Sequence, residues 1–187
     1  PRGAGGEEVV TRAHRIDLSV SSDPREMTVV RAVAAKAGSL AGFSERDQSM
    51  IALAVDEACT NIIKYSYQGA TSQPIRLRFV AGETGIEVLV RDWGRKPSPE
   101  VLRPKRAGTT RCGGLGIHML LEIMDTVVYD TSPREGTRLT LIKSLPRGNG
   151  SPTAAPAPTM GKRRPVTVIL DRKKGIVPID GLGLDDH

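Results

Sequence analysis

Aromatic side chains are scarce in this chain: Phe, Trp and Tyr make up 3% of its 187 residues, with a single tryptophan. Its core must therefore be built mainly from Val, Ile, Leu and Ala. The shortage also argues against a nucleic-acid surface, which combines clustered cations with stacking aromatics. Cysteine is scarcer still, limited to Cys59 and Cys112. The two have no metal-ligand spacing, so neither a zinc module nor a disulfide scaffold is expected, and a reducing cytoplasm is the simplest setting. No apolar run approaches membrane-spanning length, and no basic-plus-apolar leader is present, so no membrane association is expected. A strong charge of one sign is missing too. The chain has 27 Lys+Arg against 21 Asp+Glu, and from Arg147 onward there are seven basic and four acidic residues. The remaining 20 against 17 is an ordinary mixed surface.

What is present begins with Met50 to Tyr67, MIALAVDEACTNIIKYSY. Ile51, Ala54, Ala58 and Ile62 recur at helical spacing, so one stripe faces a core. Ser44 is placed to N-cap this helix, with Asp47 three residues on to close a capping box. Glu57 and Asn61 lie four apart and project from one face. That face borders the apolar stripe, an expensive place for a carboxylate without a partner.

The rest of the chain reads as mixed α and β. Residues 1–12 are Gly-rich and expected to be flexible. His14 to Val20 alternates like a strand. Asp23-Pro24 opens a helix running to about Ala37, with Met27, Val30, Val33 and Ala34 inward and Gly38 and Gly42 at its exit. Ile75 to Val80 and Ile86 to Arg91 form a hairpin around Ala81 to Gly85. Asp92 to Cys112 has no periodicity, three prolines and six basic residues. So long a loop inside a compact domain is either functional or the sign of a wrong element assignment. Gly113-Gly114-Leu115-Gly116 opens a helix to about Met124. Thr126 to Asp130 and Thr137 to Lys143 make a second hairpin. Residues 13–145 are then one domain and 146–165 a Gly, Ser, Pro and Ala-rich linker. In the tail, residues 166–187, Val166 to Leu170 and Gly175 to Ile179 have strand character. The tail docks on the main domain, pairs with another chain or stays disordered.

Three separated signals carry chemistry. Glu57 and Asn61 sit on a helix, Asp92-Trp93-Gly94 follows a strand, and Gly113-Gly114-Leu115-Gly116 starts another helix. A glycine-rich helix start presents free N–H groups and the positive dipole end, which suit phosphates. An aspartate at a strand end can accept from an exocyclic amine. Each signal alone is common in proteins of no shared function, whereas their order and spacing are not.

Together, LAVDEACTNIIKYSY, VRDWG, GGLGIHMLLEIMDTV and EGTRLTL resemble the boxes of the GHKL ATPase fold shared by gyrase, the heat-shock chaperone and sensor histidine kinases. The match is nearest to the anti-sigma-factor serine/threonine-protein kinases of bacterial partner-switching systems, and it covers roughly His14 to Ser144. The resemblance implies an α+β fold, a two-layer α/β sandwich of GHKL (Bergerat) type with a mixed, mostly antiparallel sheet and helices on one face. It implies a serine kinase that uses ATP and Mg²⁺, binds a sigma factor and phosphorylates an antagonist protein, with a homodimer as one arrangement. By motif position Glu57 matches the general base and Asn61 the Mg²⁺ ligand. Asp92 matches the residue that recognises the adenine amino group, with Gly94 giving the base room. Gly114 and Gly116 match the glycines beside the phosphates, and Thr137 the threonine that completes the adenine pocket. Arg31 matches a partner-facing arginine on the first helix. Arg111 lies near, one place from, a lid arginine that touches the γ-phosphate.

The chain also departs from that pattern. Many relatives carry a second glycine two residues after Gly94, where this chain runs Arg95-Lys96-Pro97, and Tyr65 stands where a histidine is frequent. Two functional classes follow: the ATP-dependent kinase, and a non-catalytic partner-switching module that keeps the fold. Retention of both Glu57 and Asn61 favours the kinase, because a pure binder needs no base. Lys96 favours the module.

Overall fold

A computed structural model of the chain describes residues 13–97, 115–146, 166–171 and 175–180. Residues 1–12, most of the basic loop and the 147–165 linker lie outside this set, so the expectations for them stand as expectations.

The elements follow the sequence patterns closely. Strand β1 (His14–Ser21) leads through a 3-10 turn (Pro24–Glu26) into helix α1 (Met27–Leu40). Asp23 caps the turn by accepting from the Arg25 N–H, as its place before a proline predicts. Helix α2 (Glu45–Asn61) is continued by a wider π turn (Ile62–Ser66). Ser44 caps α2 and accepts from the Asp47 N–H at 3.2 Å, while its own hydroxyl donates to the Asp47 carboxylate at 2.7 Å. Strands β2 (Pro74–Gly82) and β3 (Gly85–Arg91) form the first hairpin. Helix α3 (Leu115–Ile123) precedes the second hairpin, β4 (Thr126–Asp130) and β5 (Arg138–Ser144). Strands β6 (Val166–Asp171) and β7 (Gly175–Asp180) come from the tail.

One sheet, ordered β1-β2-β3-β5-β4-β6-β7, contains all seven strands, and every pairing in it is antiparallel. The fold is the α+β sandwich expected from the sequence, with no parallel pair among the described strands. Alternation sorts the strands into two faces. Ile75, Leu77, Phe79, Ala81, Ile86, Val88, Val90, Val127, Leu139 and Leu141 are buried. The helices cover them with Met27, Val30 and Ala34 from α1, Ile51, Ala54, Val55 and Ala58 from α2, and Leu120 and Ile123 from α3. Val33, expected inward, is only half-buried. Gly38 is not at the exit of α1 but inside it. A side chain there would meet Ile51 and Gln48 of α2, so the glycine lets the two helices approach. Gly42, just past the C-terminus, is the true terminator.

Strand β6 pairs with β4 from Thr126↔Asp171 to Asp130↔Thr167. The described residues of the tail thus lie along the chain's own sheet edge.

Phe79 is the largest fully buried side chain, on the strand between β1 and β3. Phe79→Ala is expected to cost about 3–5 kcal/mol, read as a lower denaturant midpoint with an unchanged slope. A loss under about 1 kcal/mol would contradict this account of the core.

Candidate functional site

The site begins on α2. Glu57 and Asn61 are both half-buried, one helical turn apart, and the Asn61 amide donates to Glu57 Oε1 at 3.0 Å. The pairing answers the cost of a carboxylate beside an apolar stripe, since each group satisfies part of the other. Tyr129 on β4 lies near Glu57. Burial first, and the Glu57 charge second, push its phenol well above the ordinary range, so it stays protonated. Cys59, on the buried side of the helix, has its thiol pushed up to about 12 by burial and by nearby Asp56, which makes it inert packing rather than a nucleophile.

The second part lies where β3 and β5 end side by side. Asp92 is 2% exposed although it is charged. Its N–H donates to the Thr137 carbonyl at 3.1 Å, and Gly94 N–H donates to its Oδ1 at 2.9 Å. Burial raises the Asp92 pKa. The Gly94 N–H, the Arg91 charge and the Thr137 N–H oppose the rise without cancelling it. Arg91 reaches over this junction, donating to the carbonyls of Asp92, of Thr137 at 3.3 Å and of Glu135 at 2.7 Å. Thr137 is 4% exposed, and its hydroxyl has no hydrogen-bond partner among the described residues. A buried carboxylate and a buried unpartnered hydroxyl on neighbouring strand ends form a receptive edge for a flat polar group carrying both a donor and an acceptor.

Two glycines make the junction possible. Gly136 has φ +65°, and a Cβ there would sit 2.0 Å from the Asp92 carbonyl oxygen. A Cβ on Gly94 would sit 2.5 Å from the Ser66 carbonyl oxygen. Only a residue without a side chain fits at either position.

In the sequence Trp93 is only part of a motif; the structure gives it a setting. Arg91 and Arg76 place their guanidinium carbons 4.7 and 5.1 Å from its ring centroid. Both contacts are in cation–π range. Tyr67, to which the sequence assigns no role, joins the loop through its hydroxyl, which accepts from Trp93 N–H at 2.9 Å and donates to the Pro74 carbonyl at 2.5 Å. Its pKa is raised, chiefly by burial, so the donor proton stays in place. The only sequence signal for Tyr67 was an aromatic at the end of a long helical run.

The remaining expected residues are more scattered. Gly116 is in the first turn of α3. Gly114 and Arg111 lie outside the described residues. Arg31, on α1, pairs with Asp56 at 2.9 Å and donates to the Thr28 hydroxyl at 3.1 Å. That engagement fixes it beside α2 and apart from the β3–β5 junction. Arg95 and Lys96, the departure from the glycine pattern, are exposed.

With this arrangement at the strand ends of a helix-covered antiparallel sheet, the chain matches the histidine kinase-like ATPase domain over residues 20–143. The chain belongs to that family. It is similar to the serine-protein kinase RsbW of Bacillus pumilus, with 26% identity over 142 residues, 71% of this chain and 86% of that protein. The serine-protein kinase RsbW of Listeria monocytogenes is 28% identical over 147 residues, 73% of this chain and 91% of that protein. The Bacillus subtilis protein of that name is 27% identical over 123 residues, 62% and 77% of the two chains. Among the described residues no helix is long and apolar enough to cross a membrane.

The buried carboxylate has a measurable signature. Its pKa in the folded protein lies above the usual 3.8, so the folded state binds its proton more tightly than the unfolded state does. The stability this gives is present below the usual carboxylate value and is lost as pH rises through the raised one. Asp92→Asn is therefore expected to melt no lower than the parent at pH 7, and to lose this part of the pH dependence. A variant that melts lower at neutral pH would mean that the ionised carboxylate is a net stabiliser.

Proposed function

We infer that this chain is a serine kinase of the partner-switching kind, using Mg²⁺-ATP to phosphorylate an antagonist protein and holding a sigma factor in the alternative state. The observation that carries this reading is the buried Asp92 carboxylate beside the unpartnered Thr137 hydroxyl, on the strand ends of a histidine kinase-like ATPase domain. Adenine offers an amino donor next to a ring acceptor, the complement of that edge. The serine-protein kinases to which the chain is similar support the transfer reaction.

Each residue then has a role. Asp92 accepts from the adenine amino group, Thr137 satisfies its own hydroxyl against the ring edge, and Gly94 keeps the approach open. Gly116 places N–H groups of the first turn of α3 by the phosphates, where the helix dipole favours anions. Gly114 and Arg111 belong to the same region by motif position. Asn61 would supply its amide oxygen to Mg²⁺. Held there, the ion would supply positive charge against the transferring phosphoryl group. Glu57 accepts the proton of the attacking serine hydroxyl as its oxygen bonds to phosphorus and the bond to the leaving diphosphate breaks. Arg31 presents a cation on α1 to the partner proteins. Residues 13–145 are the working unit, and the tail is an addition to it.

Two experiments test this. Glu57→Ala should lower phosphoryl transfer to a serine-bearing antagonist by about 10²–10⁴-fold while leaving calorimetric Mg²⁺-ATP affinity nearly unchanged. Equal transfer rates in parent and variant would show the base to lie elsewhere. Truncation after Leu145 should retain nucleotide binding, because every residue assigned a role precedes it. Loss of binding in a truncated protein that still melts cooperatively would place part of the site in the tail.

A further inference from the structure

The end of α2 has a feature that the roles above do not use. Through α2 the buried positions follow the α period: Ile51, Val55, Ala58 and Ile62. Continued, that period would turn residues 65 and 66 inward. Instead Tyr65 is 59% exposed and Tyr67 is 8% exposed. The cause is the π turn at Ile62–Ser66, closed by Tyr67 N–H donating to the Ile62 carbonyl at 2.9 Å, five residues back. One extra residue in the turn rotates everything after it, and the second tyrosine, not the first, becomes the inward one. Such insertions in helices are frequent at functional sites.

What this turn meets is the loop bearing Asp92. The Ser66 carbonyl accepts from Arg95 N–H at 2.9 Å, and Gly94 packs directly on that carbonyl. The Tyr67 hydroxyl spans the gap between Trp93 N–H and the Pro74 carbonyl at the start of β2. The loop backbone from Trp93 to Arg95 is thus sewn to the same helix that bears Glu57 and Asn61, while the Asp92 N–H is held by β5.

We propose that Tyr67 is a positioning residue for base recognition. Its hydroxyl fixes the Trp93–Gly94 backbone, and through the Gly94 N–H it fixes the orientation of the Asp92 carboxylate relative to α2. The inference rests on Asp92 contacting adenine, and its test keeps the two apart. Phenylalanine at 67 preserves the ring and its packing but leaves the Trp93 N–H and the Pro74 carbonyl without their shared partner.

The experiment measures ATP and GTP affinities by calorimetry for the full chain, for Tyr67→Phe and for Val30→Ala, a core truncation on α1 that removes none of the seam's hydrogen bonds. Tyr67→Phe is expected to weaken ATP about five- to tenfold, the scale of a lost buried hydrogen bond, and to narrow the preference for ATP over GTP by a similar factor. Val30→Ala should melt lower yet keep the preference, which separates positioning from general destabilisation. Gly94→Ala, which pushes the same seam apart from the loop side, should narrow the preference as Tyr67→Phe does. If the parent prefers ATP and Tyr67→Phe keeps that preference, or if Val30→Ala narrows it equally, the positioning role is wrong and adenine recognition by Asp92 stands. If the parent binds no adenine nucleotide, adenine recognition falls and the positioning role with it.

Discussion

Everything at the working end of this sheet depends on keeping one carboxylate out of water. A lone ionised group in an apolar interior is prohibitively costly, so it must be surrounded by donors or neutralised. Asp92 is surrounded by the N–H groups of Gly94 and Thr137 and by the Arg91 charge. Those donors are available only because β3 and β5 end in register, with Arg91 facing Arg138 and Asp92 N–H on the Thr137 carbonyl. The two glycines allow the chain to fold back tightly enough. Even so, burial wins and the pKa stays raised. A group held at such cost to stability, beside a hydroxyl with no partner, suits a site completed by something outside the chain.

The same junction links local structure to the rest of the domain. Arg91 and Arg76 stack on Trp93 from adjacent strands, and they face each other across β2 and β3. On the other side, the π turn at the end of α2 grips the loop through Ser66 and Tyr67. The helix carrying Glu57 and Asn61 and the loop carrying Asp92 therefore cannot shift independently without breaking buried hydrogen bonds. In phosphoryl transfer, where catalysis is mostly placement and charge stabilisation, that rigidity is what the fold has to provide.

Much of this was legible in the sequence, for definite reasons. Helix α2 announced itself through Ile51, Ala54, Ala58 and Ile62 and the Ser44 cap, and i,i+4 spacing was enough to bring Glu57 and Asn61 together. The strands were visible because alternation reports a sheet with one buried face. The resemblance of the spaced boxes led to the family that the comparisons show. Other features depend on tertiary contacts. Tyr65 and Tyr67 are the same residue type two places apart, and a helical period favours the wrong one. The π turn that reverses the choice is joined to the loop by tertiary contacts, Arg95 N–H on the Ser66 carbonyl and the Tyr67 hydroxyl on Trp93 N–H. Gly38 resembles a terminator because glycine usually is one, but here close approach of α1 and α2 required it. The arginines on Trp93 needed strand register to be seen. The docking of β6 on β4 needed knowledge of which sheet edge was free.

The most direct measurement is a crystal structure of the full chain with Mg²⁺ and a non-hydrolysable ATP analogue. The account predicts the adenine amino nitrogen within hydrogen-bond distance of the Asp92 carboxylate, the Thr137 hydroxyl newly partnered, and Mg²⁺ on the Asn61 amide oxygen. A base bound elsewhere, with Asp92 still held only by its own backbone partners and Thr137 still unpaired, would contradict it.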